Sequence, residues 1–166
     1  MANETMQISE AGMAELRRRE GAILRYYNDA AKNCTYGVGT LAHYGPCTEE
    51  ELQRPVTIND VNAQLRTRVR SAERTVRQRV HSHPLTQEQF DALVSFTYTT
   101  GATGAHRTLD AANRGASQEV VTHMNNNVYV HPRTANGRRL TPVRIHGLVN
   151  RRREESAPFQ PQQANR

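Results

Sequence analysis

The chain has no tryptophan, only two cysteines, a single lysine, and no apolar run approaching the length of a bilayer span. A membrane-crossing helix needs roughly 20 consecutive apolar residues, so stable membrane insertion is not expected. The amino-terminal stretch MANETMQISEAG carries no apolar core of the kind a secretory signal requires, so neither a signal peptide nor a signal anchor is expected. Cys34 and Cys47 are not arranged as C-x-x-C; they form no cysteine-based metal signature, and no metal or other cofactor is expected. The two thiols are close enough in sequence to bridge a small lobe, but a cytosolic chain keeps them reduced, so a disulfide is open to them only after export. The scarcity of lysine makes the basic charge one of arginine, with a net charge of +6 and an isoelectric point of about 9.9. That balance fits a polyanionic partner (nucleic acid, anionic lipid or a carboxylate-rich cell wall), and it fits a solvated basic surface equally well. At 166 residues the chain is expected to form one domain around one core.

Helix and strand signals alternate along the chain. Ser9 can cap a first helix on which Met13, Leu16 and Glu20 share a stripe, and Gly21 ends it. AILRYY reads as a strand, NDAAKN as a turn, CTYGVG as the returning strand and TLAHYGPC as a third, a small β lobe over about residues 22–47. Thr48 with Glu51 is a capping box for a short helix that Pro55 stops. Thr57 or Asn59 then starts a long helix, on which Val61, Leu65, Val69, Ala72, Val76 and Val80 make one apolar stripe. HSHP breaks it. Thr86 with Gln89 opens QEQFDALVSFTYTT, whose inner stripe is Phe90, Leu93, Val94 and Thr97, and Gly101 and Gly104 end that helix. Short helices are expected near residues 105–113 and 118–124, an irregular segment over 125–143 and a last helix over about 143–155. SAPFQPQQANR is rich in Pro and Gln and reads as a disordered tail. The expected architecture is α+β: one helix, a small β lobe, a long connecting helix and a larger helical lobe, as a single domain over residues 1–156 with a tail over 157–166.

Around the expected hairpin stand two carboxylates and a hydroxyl, Glu20, Asp29 and Thr35. Glycoside hydrolysis uses two carboxylates in unlike environments. One keeps its proton for the leaving oxygen, and the other stays ionised to activate water or attack carbon. Glu20 suits the first role, because a helix C-terminus is the negative end of the macrodipole and its stripe is otherwise apolar. Arg17, Arg18 and Arg19 oppose this if they fold back. Asp29 stands in a polar turn among Asn28, Lys32 and Asn33 and suits the second role, with Thr35 able to orient a water beside it. Asp is also a favoured turn residue, so these residues alone equally describe an ordinary polar turn.

The order Glu20, Asp29, Thr35 resembles the catalytic triad of phage-type lysozymes. EGAILRYYND, CTYGVGTL, LTQEQFDALVSFTY and GLVNRRREE resemble segments of the endolysins of that family, in the family's order, over roughly residues 9–155. The resemblance implies a lysozyme-like fold and hydrolysis of the β-1,4 bond between N-acetylmuramic acid and N-acetylglucosamine in bacterial peptidoglycan, for host lysis. It makes Glu20 the general acid, Asp29 the base for an inverting water or an electrostatic partner on the opposite face of the sugar, and Thr35 the residue that positions the water. An inverting geometry places the two carboxyls about 6.5–9.5 Å apart. The resemblance also implies dependence on a holin, with the protein held in the host cytoplasm until lysis and then acting at the periplasm and cell wall. A monomer is expected.

The chain departs from the family at several points. Many relatives carry a histidine after G-x-G where Thr40 stands here, with His43 slightly later, and an asparagine at the position of Thr100. With no tryptophan, stacking on sugar falls to Tyr36 or Tyr44. His81 and His83 are spaced like two ligands on a strand but lie at a helix end before Pro84, which reads as a polar turn. Arg151, Arg152 and Arg153 read as a structural cluster or an anion site, and Tyr26, Tyr27 and Phe96 as core. Cys34 with His43 could form the nucleophile and base of a wall peptidase, but no neighbour has a clear claim as the third, orienting group. A lytic transglycosylase needs one catalytic Glu, and the presence of Asp29 and Thr35 argues against it. A basic nucleic-acid-binding protein would use the arginine-rich long helix. Its arginines scatter around the helix and no helix-turn-helix or RNA-binding signature appears, so no nucleic-acid partner is expected.

Overall fold

The computed structural model describes residues 1–29, 31–130, 134 and 136–161. The first helix, α1, runs over Glu10–Glu20 and buries Leu16 completely. Gly21 stops it in the left-handed region at φ 60°, its N–H donating to the Arg17 carbonyl at 3.2 Å. Glu20 is therefore the final residue of α1, as the sequence indicates.

Three short strands follow, β1 (Ile23–Asn28), β2 (Cys34–Gly37) and β3 (Thr40–His43), forming an antiparallel sheet in that order. A register shift between Ile23 and Tyr26 makes a bulge in β1, which bends the strand. Tyr26 pairs with Tyr36 across the sheet, and the two rings stack with centroids 4.8 Å apart. Tyr26 and Tyr27 are thus half-buried on the small sheet, not core as expected, whereas Phe96 is core at 1% exposure. Three strands of four to six residues cannot enclose rings of that size on both faces.

Helix α2 (Glu49–Gln53) opens with the expected capping box of Thr48 and Glu51. Helix α3 (Ile58–Arg79) opens at Thr57, whose hydroxyl accepts from the Asp60 N–H at 3.1 Å while Asp60 accepts from the Thr57 N–H at 2.9 Å. All six residues of its apolar stripe, Val61 to Val80, are buried. The chain divides into two compact units, Glu10–Ser71 on one side and Met1–Ser9 with Ala72–Arg166 on the other. Residues 58–71 of α3 belong to the first unit and residues 72–79 to the second.

In the second unit α4 (Gln87–Asn113) starts at the Thr86–Gln89 capping box and is broken at Gly101, where φ is 75° and ψ 170°. Gly101 ends the first segment as expected. Gly104 does not: it lies inside the following helical segment, packed against Thr100. After α5 (Ser117–Asn126), β4 (Tyr129–Val130) pairs antiparallel with β5 (Val143–Arg144), and α6 spans His146–Ser156. The last helix starts later than the sequence indicates because Val143 and Arg144 are taken by that pairing. The segment expected to be irregular contains β4, and its residues 131–133 and 135 lie outside the described residues. The expected disordered tail is also corrected at its start. Ala157–Phe159 forms a 3-10 turn and Phe159 is buried, the one large apolar side chain in that Pro- and Gln-rich stretch, while residues 162–166 lie outside the described residues. Arg152, a buried residue of α6, donates to the Asn127 carbonyl at 2.9 Å and to Glu155 at 2.5 Å, with its guanidinium 4.7 Å from the Phe96 ring centre. Arg152 is structural, one of the two readings of the arginine cluster. The backbone N–H groups of His81 and Ser82 donate to Asn113 Oδ1 at a bend, the polar turn expected there.

Candidate active site

All three residues of the sequence constellation belong to the unit Glu10–Ser71. Glu20 ends α1 half-buried, Asp29 follows β1 directly, and Thr35 lies in β2 at 4% exposure. The hairpin turn is built around Asp29. Its N–H donates to the Asn33 carbonyl at 3.0 Å and its own carbonyl accepts from Lys32 at 2.9 Å, with Lys32 in the left-handed region at φ 61°. Asp29 Oδ1 accepts from the N–H groups of Ala31 and Asn33, both at 2.9 Å. This Asx-type geometry is the local reason for Asp in the turn.

Those bonds also aim the carboxylate. With Oδ1 engaged by backbone, Oδ2 points at Thr35, whose Oγ1 is 3.2 Å away. The same hydroxyl is 3.2 Å from the Asn33 carbonyl, and its single proton can serve one acceptor at a time. In either arrangement the Thr35 oxygen retains lone pairs that can accept a hydrogen from water. The structure thus joins Asp29 and Thr35 directly, while Glu20 precedes β1 in the chain and Asp29 follows it. Asn33, counted in the sequence only as a polar neighbour, organises the turn through both its backbone and its side chain, which accepts from the Gly45 N–H at 3.0 Å.

A second cluster backs this turn. Cys34, adjacent to Thr35, is joined to Cys47 in a disulfide with Cα atoms 4.6 Å apart, one of the two states the sequence leaves open. His43 donates from Nδ1 to the Tyr44 carbonyl at 2.9 Å, and its Nε2 lies 2.9 Å from both carboxylate oxygens of Glu51. The Tyr44 carbonyl first, and the Glu51 carboxylate second, push the His43 imidazole above its usual value. Conversely, His43 and then the Thr48 N–H hold the Glu51 carboxyl below its own. Sequence reasoning missed this pair, although the Thr48–Glu51 capping box fixed the location of Glu51. A disulfide-bonded Cys34 with a carboxylate-bound His43 is not a nucleophile and base, which removes the peptidase arrangement.

Of the stacking candidates, Tyr36 is committed to Tyr26 and Tyr44 is 82% exposed. A cleft of about 320 Å³ in the other unit is lined by Phe96, Thr103, His106, Arg107, His123 and Asn126 among others, with no carboxylate among the described lining residues.

A helix ending in Glu20, a three-stranded sheet whose hairpin holds Asp29 against Thr35, and a helical unit reached through α3 define the lysozyme-like class of α+β proteins. The chain belongs to the phage lysozyme family, whose model matches residues 17–155 and so contains all three residues. It is similar in structure to an endolysin from Escherichia coli O157:H7 phage FAHEc1, with 29% identity, a TM-score of 0.75, and 93% of this chain and 94% of that one covered. It is also similar to the muramidase domain of SpmX from Asticaccaulis excentricus, with 28% identity, a TM-score of 0.72, and 93% and 98% of the two chains covered. An endolysin of Bacillus phage PZA is 32% identical over 158 residues, 93% of this chain, and the chain spans 55% of that relative's length.

Proposed function

We propose that this chain is a phage endolysin with muramidase activity, hydrolysing the β-1,4 bond between N-acetylmuramic acid and N-acetylglucosamine in peptidoglycan. The observation that carries the reading is the Asp29–Thr35 pair, held at 3.2 Å by a turn that leaves Oδ2 available, in a unit where Glu20 ends the preceding helix. Glu20 gives its proton to the glycosidic oxygen as the bond to the anomeric carbon breaks. A water that donates one hydrogen to Thr35 and the other toward Asp29 attacks that carbon from the opposite face, and Asp29 takes the proton. Asp29 also offsets the positive charge that develops on the sugar ring. Asp29 then releases its proton to solvent and Glu20 regains one, which restores both carboxyl groups. The arginine-rich net charge of +6 favours a wall bearing peptide carboxylates. The protein acts as a monomer, waits in the host cytoplasm, and reaches the wall through a holin. No helix among the described residues is long and apolar enough to cross a membrane.

Clearing of purified Gram-negative peptidoglycan by wild type and Glu20→Gln, with reducing ends counted in the products, tests the reading. Glu20→Gln is expected to lose roughly two to four orders of magnitude, the usual weight of a general acid. Activity within a few-fold of wild type removes the assigned acid, and anhydro sugar ends in place of reducing ends assign a transglycosylase.

A further inference from the structure

The Cys34, His43 and Glu51 side chains present a sulfur, a nitrogen and an oxygen all within 4.8 Å of one another. Cys47 lies outside that group and is tied to it through its sulfur–sulfur bond with Cys34. Together they are two sulfurs, one imidazole and one carboxylate, a donor set that suits tetrahedral Zn²⁺. We infer that, when the Cys34–Cys47 bond is reduced, Cys34, Cys47, His43 Nε2 and a Glu51 oxygen form a zinc site, so that metal and disulfide are alternative clamps on the same hairpin. This reading goes beyond the proposed muramidase activity and departs from the metal-free expectation of the sequence.

Three features of the geometry support it. First, a backbone carbonyl can only accept, so the 2.9 Å contact from Tyr44 fixes the His43 proton on Nδ1. Nε2 is left turned toward Glu51 and Cys34, and an imidazole whose other nitrogen is tied to a carbonyl is the usual arrangement of a zinc-binding histidine. Second, the Glu51 carboxylate is already oriented, since Oε2 accepts from the Thr48 N–H at 2.8 Å and lies 3.4 Å from Cys34 Sγ. In the disulfide form that sulfur has no proton to donate, so the contact is no hydrogen bond. A thiolate there would face the carboxylate with like charge, and a divalent cation between them removes the repulsion. Third, tetrahedral zinc holds neighbouring ligand atoms about 3.3–3.8 Å apart. The Glu51 carboxylate is 3.4 Å from Cys34 Sγ and 2.9 Å from His43 Nε2, and all three donors lie within 4.8 Å of one another, so small side-chain shifts and separation of the two sulfurs complete the site. Cys34 is fully buried, while Cys47, His43 and Glu51 are partly exposed and provide an open side for the ion.

The exchange balances. A dithiol reductant transfers two electrons and two protons to the Cys34–Cys47 bond, leaving two thiols and the reductant's own cyclic disulfide. Zn²⁺ then displaces the two thiol protons to solvent and binds both sulfurs as thiolates. In a reducing compartment the ion holds Cys34, and with it the adjacent Thr35, to the start of α2; in an oxidising one the disulfide does so.

The full chain, reduced anaerobically with a phosphine and freed of it by gel filtration, is offered Zn²⁺ and, separately, Co²⁺. Reduced wild type is expected to retain about one metal ion per chain and oxidised wild type none. Cobalt should give a thiolate-to-metal charge-transfer band and the intense visible bands of a tetrahedral site. The melting temperature of the reduced protein should rise with zinc concentration, which places the ion on the folded chain. His43→Ala and Glu51→Gln should each weaken zinc binding at least about tenfold. Retention by reduced wild type no greater than by a Cys34→Ser/Cys47→Ser variant overturns the inference, as does an octahedral cobalt spectrum. So does zinc affinity unchanged in both the His43 and the Glu51 variants. The wild-type cobalt spectra decide the matter even if a variant fails to fold.

Discussion

Replacing Thr35 by valine keeps the shape of the side chain and deletes only the hydroxyl, which makes the variant a direct probe of the Asp29–Thr35 pair. The bond at 3.2 Å is long for an O–H···O contact, whose usual distance is about 2.7–2.8 Å. A hydrogen bond to a charged group contributes about 1.5–3 kcal/mol, so this one belongs near or below the bottom of that range. Asp29 keeps its two backbone donors and is half-exposed, so water can replace the lost partner. The expected loss of stability is about 1 kcal/mol, or roughly 2–4 °C in melting temperature for a chain of this size. Catalysis should suffer far more. If Thr35 holds the attacking water, its removal frees that water by an ångström or more, and misplacement on that scale costs about a hundredfold. A loss of roughly 10²–10³ in kcat corresponds to about 2.7–4 kcal/mol of barrier, well above the stability term. The substrate's affinity should change little. Peptidoglycan clearing with reducing-end detection measures the first quantity and calorimetry the second. Thr35→Ser should recover activity to within about tenfold of wild type, because it restores the hydroxyl. Clearing by Thr35→Val within a few-fold of wild type, at full folding, would refute the water-holding role.

Two further predictions concern the scaffold. Arg152→Ala takes from the fully buried Glu155 the closer of its two arginine partners, leaving Arg151 at 3.5 Å, and should cost about 3 kcal/mol by chemical denaturation, whereas the apolar pair Arg152→Met with Glu155→Leu should recover part of it. The Asp60 carboxyl is held below its ordinary value of 3.8 by the Thr57 N–H first and the Thr57 hydroxyl second. A lowered folded-state value stabilises the protein above the ordinary value, and that contribution disappears as pH falls through the folded one. The melting-temperature gap between wild type and Asp60→Asn should therefore be widest near neutral pH and close as pH falls through the lowered folded-state value; a gap independent of pH would exclude the capping role.

The elements that could be read from sequence are those whose signal is local. Capping boxes at Thr48 and Thr86 sit where the pattern of hydroxyl and acid or amide places them, because cap and first turn satisfy each other within four residues. The stripe of α3 is equally legible, since helix period alone selects which residues it buries. What misled was non-local. Val143 and Arg144 look helical in their own context but pair with Tyr129 and Val130 instead. Phe159 is one ring in a polar segment, and composition averages it away although the ring itself is buried.

The same division runs through the site. Asp29 and Thr35 could be paired on paper because a short turn leaves them few alternatives, and the turn proper is explained by Asp29 satisfying its own backbone. Cys34 could be paired with Cys47 or with His43 on paper, but the four residues Cys34, His43, Cys47 and Glu51 could not be joined, because no metal-like spacing links them: one comes from each of β2, β3, the following loop and α2. Their meeting depends on the strand register that sets Cys34 opposite His43, and on the Thr48 cap that turns Glu51 back toward them. Each residue also has a sufficient separate explanation, as a thiol, a surface imidazole or a capping acid. Only the coordinates reveal that one hydrogen bond, from His43 Nδ1 to Tyr44, faces the remaining nitrogen toward the sulfur and the carboxylate at once. A cluster assembled in this way lies directly behind the turn that aims Asp29, since Asn33 supports that turn while its side chain binds Gly45 and the next residue, Cys34, begins the clamp. Whatever holds Cys34 therefore also acts on Thr35, and through it on the contact with Asp29, across a single peptide bond.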